Sequence, residues 1–429
     1  MTALTAIQAR RRFLWLLALR WLPVGLMIPV TVLLPLDRGL SLAQYGSAAA
    51  LQGLTVLLLE LPTGGLSDAI GRRPVLLLAG VLEITALSLL TVADSVLMFM
   101  VFYVLQGAYR ALDSGPLEAW YVDHALAADA KADIETGLSR SGVVLGVAIA
   151  AGALLTGGLV ALGPTVPGGP LSLPVHVALG LQVVSLAAVA LLMTERRPSR
   201  GFAALARSVR GVPAAIGGAL GLLRRSRIIV ALVAVELFWG FGMVAFESLM
   251  PVRLAEVVGD PGQASALMGP VGSVAWLASA LGAALIPLLA RRIGAPWTGF
   301  VLRILQGVTV VGMALFAGPV GVIAAYLVCY TVHGAASPVH NGLLHRQVDG
   351  PYRASLLSLN SMVSQPAGAL GLVTLTAVAS AADLRMSLLV GAAVLAVAAP
   401  LYLVARGSAA SVDAPAPEPV PAIHGGVYS

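Results

Sequence analysis

The sequence predicts an all-α polytopic membrane protein, twelve transmembrane helices in two six-helix bundles, and three observations carry that expectation. First, 58% of the 429 residues are hydrophobic and only 11% charged, with a mean hydropathy of +0.92, whereas an average soluble chain is roughly 25% charged. Second, apolar stretches of about 20 residues, the length that crosses a hydrocarbon core of roughly 30 Å, recur between short polar breaks. Third, the longest polar connection falls between the sixth and seventh stretches and divides them six and six. This composition excludes a soluble enzyme, a disordered chain and a disulfide scaffold, since Cys329 is the only cysteine.

Taken in order, the spans are expected at 13–36, 42–63, 74–93, 97–121, 139–162, 174–193, 228–250, 264–289, 297–317, 319–343, 354–378 and 385–405. The first follows Arg10, Arg11 and Arg12 but is too long for a signal peptide and lacks a small-residue cleavage site, so it reads as a retained span. With the N-terminus in the cytoplasm, cytoplasmic segments hold 20 of the 26 basic residues. The opposite side has Arg38, Arg253 and Arg385, and Arg20, Arg110 and Arg303 fall inside spans. Cytoplasmic loops carry such an excess, so both termini are expected there. Lys131 is the only lysine, a bias that suits a high-GC bacterial genome and hence a bacterial inner membrane.

The chain divides into an N-terminal bundle (1–194), a cytoplasmic linker (195–227), a C-terminal bundle (228–405) and a tail (406–429). In the linker Phe202, Leu205, Val209, Val212, Ile216, Leu220 and Leu223 recur at spacings of three and four. This suggests an amphipathic helix on the cytoplasmic leaflet, though Pro213 would kink it and a solvated basic linker is the alternative. The tail, rich in Ala, Pro and Ser, is expected to be disordered. Ile70-Gly71 and Ile293-Gly294 sit at matching loops of the two halves, and twelve residues past each glycine stand Glu83 and Gln306. A diverged parallel repeat would explain both matches.

Gly64-Gly65-Leu66-Ser67-Asp68-Ala69-Ile70-Gly71-Arg72-Arg73 joins spans 2 and 3 and is the most specific string in the chain. Its glycines permit a tight turn, and its aspartate and arginines can form a charge cluster. The string resembles the signature loop of the major facilitator superfamily. That resemblance implies two bundles that rock about a midplane site, with Gly64, Asp68, Gly71, Arg72 and Arg73 as gating residues and Asp123, at the end of span 4, as a partner. Arg291 stands where the second half would carry the aspartate. Glu60-Leu61-Pro62-Thr63-Gly64 and Arg110-Ala111-Leu112-Asp113-Ser114-Gly115-Pro116-Leu117-Glu118-Ala119-Trp120 are similar to bacterial drug-efflux members, in which an arginine at the place of Arg110 is tied to proton coupling. Span 5 has glycines but no proline in the run where such members carry one.

Ionisable side chains at a span centre cost about 2.5 to 3.5 kcal/mol each on insertion scales, so they are expected to be paired or to line a wet cavity. Six acids qualify, Glu60, Glu83, Asp113, Glu118, Glu236 and Glu247, against Arg20, Arg110 and Arg303. Pairing leaves acids over, the equipment of a proton-coupled carrier. Asp113 and Arg110, one turn apart, are expected to pair on one face and to couple protons together with Glu118 and Glu236. A permanent ion pair for the first two, and snorkelling or packing for the others, are the structural alternatives. The resemblance puts spans 1, 4, 7 and 10 around the cavity, which adds Arg20, Trp239, Tyr330, His333 and His340 as substrate-binding candidates. Trp120, Tyr121, Phe241 and Met243 are further candidates for a polarisable wall that takes lipophilic cations; packing is their alternative role. Pro116 and Pro338 are expected bend points.

No cofactor is expected: the glycine strings lack the lysine and hydroxyl of a nucleotide loop, and no metal-ligand cluster appears. Nucleic acid is excluded because apolar runs separate the basic residues. The expected partners are a small-molecule substrate, protons and membrane lipids, and the chain is expected to be a monomer, as superfamily members commonly are. The expectation is therefore a transporter, not an enzyme, that exports lipophilic drug-like compounds in exchange for protons by alternating access. The alternatives are a proton-coupled metabolite importer and a non-transporting receptor or lipid-handling protein on the same fold.

Overall fold

The computed structural model describes residues 4–162, 168–195, 217, 221, 223, 226–347 and 353–406. All regular structure among them is helical. Twelve segments are long and apolar enough to cross a membrane: Ala6–Asp37, Leu42–Glu60, Arg72–Val92, Val96–Ala128, Ile134–Leu162, Ser172–Leu192, Arg227–Val258, Pro261–Ile293, Ala295–Leu315, Pro319–His345, Met362–Ala381 and Leu384–Ala405, numbered here spans 1 to 12. They coincide with the predicted spans but run further at several ends. The helix of span 2 continues to Ile70 and that of span 11 starts at Arg353. Hydropathy marks only the hydrocarbon depth, while helical hydrogen bonding is free to continue into the polar interface. The linker sequence that suggested an amphipathic helix lies largely, and the tail beyond Arg406 wholly, outside the described residues.

Spans 1, 4 and 7 are each broken into two helices. The breaks fall at Ile28-Pro29, at Ser114-Gly115 and at Ser248. In span 4 Gly115 adopts φ +92°, left-handed backbone that glycine enters without strain, and Pro116 opens the second helix at its first position. Pro338 lies inside span 10, which runs as one helix from Pro319 to His345. Its exposed position lets the carbonyl that loses its partner reach water.

Two arginines assigned by sequence to the outer loops do structural work. Arg38 donates to the carbonyls of Leu90, Thr91 and Ala93 at 2.6, 3.2 and 2.7 Å, where the helix of span 3 ends. Arg253 donates to those of Met313, Ala314 and Phe316 at 3.2, 3.1 and 3.0 Å, where span 9 ends. A helix C-terminus has carbonyls without internal partners and a negative dipole end, so a guanidinium suits it on both counts. The three carbonyls in each half are 223 residues apart (90 to 313, 91 to 314, 93 to 316), the interval that also separates Gly71 from Gly294 and Glu83 from Gln306. Both glycines take positive φ, +98° and +80°. The geometry thus supports the parallel repeat that the sequence hinted at.

The bundles meet through span 2 against span 11 and span 5 against span 8. Gly46 packs on Leu372 and Thr376, Gly53 on Gln365, and Gly157 on Ala266 and Gly269. Ser273 donates to the carbonyl of Ala150 at 2.6 Å. All of these contacts lie in the halves of the spans away from the chain termini. Toward the terminus-bearing face Arg110, Ser114, Glu118, Ser337 and Pro338 of spans 4 and 10 are exposed. Among the described residues, the contacts named here close the bundles together on the face away from the chain termini.

Candidate functional site

A cavity of about 610 Å³ lies between the bundles, lined mainly by spans 1 to 4 of the first, with Glu247, Ser248, Gln365 and Leu372 from the second. Its ionisable walls are Arg20, Glu60, Glu83, Arg110, Asp113 and Glu247, beside Gln52, Gln106, Tyr45, Tyr103 and Tyr109. Trp21, Val24, Met27, Ile28 and Phe102 supply an apolar surface.

Asp113 is held by Arg20, not by Arg110. The guanidinium Nε pairs with Oδ2 of the carboxylate, and Nη2 donates to the Asp113 backbone carbonyl at 2.9 Å. The physical reason is the helix break: Asp113 is the last residue before Ser114-Gly115, so its carbonyl also needs a donor, and only a cation arriving from another helix reaches both groups. Arg110 is exposed to the cavity and forms no ion pair among the described residues. Glu118, on the next helix, is exposed nearer the terminus-bearing face and is not in the cavity wall.

Glu60, Glu83 and Glu247, read from sequence only as acids within spans, line this cavity. Glu247 accepts from the Tyr330 hydroxyl at 2.7 Å. Glu83 is 5% exposed and accepts from Gln106 Nε2 at 3.1 Å. Which face of a bundled helix turns inward is not written in hydrophobicity when every face is apolar, so the acids were visible but their direction was not.

Two further clusters sit in the second bundle. Glu236 Oε1 lies 3.2 Å from His340 Nε2, whose ring also meets the Tyr402 hydroxyl at 3.1 Å and Asn360 Oδ1 at 3.4 Å. Both residues are buried among the helices and neither lines the cavity. Trp239 stacks on His333 with centroids 5.8 Å apart, and Tyr330 lies 5.9 Å from the same ring. Trp120 and Tyr121 are not cavity wall. Each is 1% exposed; Tyr121 stacks on Phe13 at 4.7 Å and the Trp120 indole donates to the Thr194 carbonyl at 2.9 Å. Rings this large are drawn into the bundle core, where they bury the most apolar area.

At the loop between spans 2 and 3, Arg72 donates to Asp123 at 2.5 Å and to the Ala119 carbonyl at 2.6 Å. The surroundings of Gly64 and of the Asp68 side chain are outside what the structure describes. Glu195, which the sequence placed in the linker, accepts from the backbone N–H groups of Arg72 and Arg73 at 2.6 and 3.0 Å. A carboxylate thus caps the start of span 3, a favourable place for negative charge. Arg73 reaches the Ala190 carbonyl at 2.6 Å, so the loop is fastened to the ends of spans 4 and 6.

Among solved structures, the chain is similar to the nucleoside transporter NupG, with a TM-score of 0.74, 14% identity, and 92% of this chain and 98% of that one covered. A bacterial homologue of the human lysosomal transporter Spinster, in an inward-facing and unoccupied conformation, gives a TM-score of 0.76 at 15% identity over 96% and 99%. A POT family transporter in complex with 5-aminolevulinic acid gives 0.70 at 15% over 94% and 96%. At these identities the likeness is one of fold. No curated protein matches by sequence. The model of the Major Facilitator Superfamily matches residues 13–372, and with twelve spans around a charged central cavity the chain belongs to that superfamily of membrane transporters.

Proposed function

We propose that the protein is a secondary active transporter that exports a lipophilic, cationic drug-like compound in exchange for protons. The observation that carries this reading is a pair of carboxylates in the cavity wall, Glu83 and Glu247, whose hydrogen bonds among the described residues come from neutral groups, Gln106 and Tyr330. Arg20 is already committed to Asp113. The surplus carboxylates are neutralised by protons or by an organic cation, and an ionised empty site is the costliest to carry through an apolar interior. Reorientation is then fastest with one or the other bound, and exchange follows from their competition. The apolar wall of Trp21, Val24, Met27, Ile28 and Phe102 suits a lipophilic body, and the volume suits one drug-sized ligand.

One observation favours a second reading. Arg110 faces the cavity without an ion-pair partner among the described residues, and a guanidinium so placed would bind the carboxylate of a metabolite brought in with protons.

The test is dissipation of an imposed pH gradient in everted vesicles across a panel of lipophilic cations, neutral drugs and small acids. Antiport predicts that lipophilic cations release the gradient in vesicles that hold the protein and fail to do so in vesicles without it. Accumulation of a small acid in intact cells, with no response to any cation, would replace export by import.

A further inference from the structure

Span 3 carries one ionisable side chain away from its ends, Glu83, and its setting is that of a proton carrier. It lines the cavity while its residue is 95% removed from solvent, at 5% exposure. Oε1 accepts from Gln106 Nε2 at 3.1 Å, whereas Oε2 is buried with no hydrogen-bond partner among the described residues. An ionised carboxylate offers about four acceptor sites, and one neutral amide leaves most of them unmet. Burying such a charge without a counter-ion is heavily unfavourable. A carboxylic acid with its O–H on Oε2 removes the buried charge and keeps the bond from Gln106.

A second observation is independent of the first. Gln306 occupies the equivalent point of the other half, 0% exposed, with Oε1 accepting from Arg303 at 2.6 Å. Packing at this point of the repeat is therefore satisfied by an amide of the same length. What Glu83 adds to that shape is one exchangeable proton.

We infer that Glu83 is the carboxyl group that carries the transported proton, on Oε2, with Gln106 fixing Oε1. This rests on the proton-coupled reading above and moves the exchanging proton away from Asp113, whose carboxylate is occupied by Arg20. The step is transfer of the Oε2 proton to a water entering from the cavity and its return: the O–H bond at Oε2 breaks as one forms on the water, and the reverse restores the acid. From span 4, Arg110 and Asp113 act on Glu83 through space, and Tyr109 lines the same wall. Span 2 brings Glu60 and span 1 Arg20. Span 6 has His176, bonded to the Ser172 carbonyl. The second helix of span 4 has Glu118, Asp123 and His124, of which Asp123 is held by Arg72. Arg110 is the cation available to the ionised form.

The experiment uses purified full-length protein with tetraphenylphosphonium as probe, comparing wild type, Glu83→Gln and Glu83→Asp. Proton release on probe binding is read with a pH dye in weak buffer, probe counterflow without a pH gradient in proteoliposomes, and the protonated-carboxyl band by infrared difference spectroscopy with no ligand. Glu83→Gln is expected to lose proton release, gradient-driven transport and the infrared band; detectable counterflow, which needs no net proton movement, shows that the variant is folded and still moves the probe. Glu83→Asp should restore proton release with a displaced pH profile. Proton release and an unchanged band in Glu83→Gln would overturn the inference alone. A wild type that moves the probe without releasing protons would overturn the coupled reading and the inference with it.

Discussion

Asp113 has two groups to satisfy, its carboxylate and the backbone carbonyl that the helix end leaves bare, and Arg20 serves both. The spacing of Arg110 and Asp113 suggested a pair within span 4, because residues three apart share a helix face. That rule holds for a continuous helix, and here the helix stops at Asp113. Nothing local announces a cation arriving from span 1. Removing Arg20 strands a carboxylate that is 6% exposed, so Arg20→Ala is expected to cost on the order of 3 kcal/mol. Arg20→Ala with Asp113→Ala should cost less than the two single changes added together. Thermal unfolding of the four purified proteins checks this; strict additivity would mean that the pair contributes nothing beyond its separate parts.

At the scale of the helix, the number and order of spans were legible because hydropathy reports the solvent a segment meets, and the bilayer leaves a long apolar record. The caps were not. Arg38 and Arg253 looked like stray loop charges, and only the fold brings them to the ends of spans 3 and 9. In retrospect their signal was position: one arginine follows span 1 and one falls near the end of span 7, on the side otherwise poor in basic residues. Arg253 is 1% exposed and also meets Glu256 at 2.6 Å. Arg253→Gln should therefore lower stability by about 3 kcal/mol through several lost charge-assisted bonds. Arg385→Gln, at an exposed position, should change it by less than about 0.5 kcal/mol. Equal melting temperatures for the two variants would remove the capping role.

Alternating access requires that the contacts now closing one face be able to part, and those contacts are built on small residues. The composition contains 47 glycines, yet their count does not say which of them face the opposite bundle. Gly142, Gly146 and Gly158 border open space, whereas a Cβ on Gly269 would sit 2.6 Å from the Ala153 carbonyl oxygen. Periodicity fixes a helix, not its neighbour across a pseudo-symmetric interface. Spans 2 and 11 offer the sharpest handle. A Cβ built on Gly53 falls 4.0 Å from that of Ala369, inside the roughly 3.5 to 4.5 Å range that a disulfide needs. The native Cys329 is buried, so its thiol is shielded from competing for the link. In Gly53→Cys with Ala369→Cys, oxidation is expected to cross-link the bundles in good yield and to stop net transport. Substrate should still reach the cavity from the terminus-bearing face, and reduction should restore turnover. The locked protein therefore separates binding from translocation, since equilibrium binding of tetraphenylphosphonium should persist while its exchange across the membrane ceases. Full transport by the oxidised, cross-linked protein would show that this face does not open in the cycle, and the two bundles would have to be assigned some other motion.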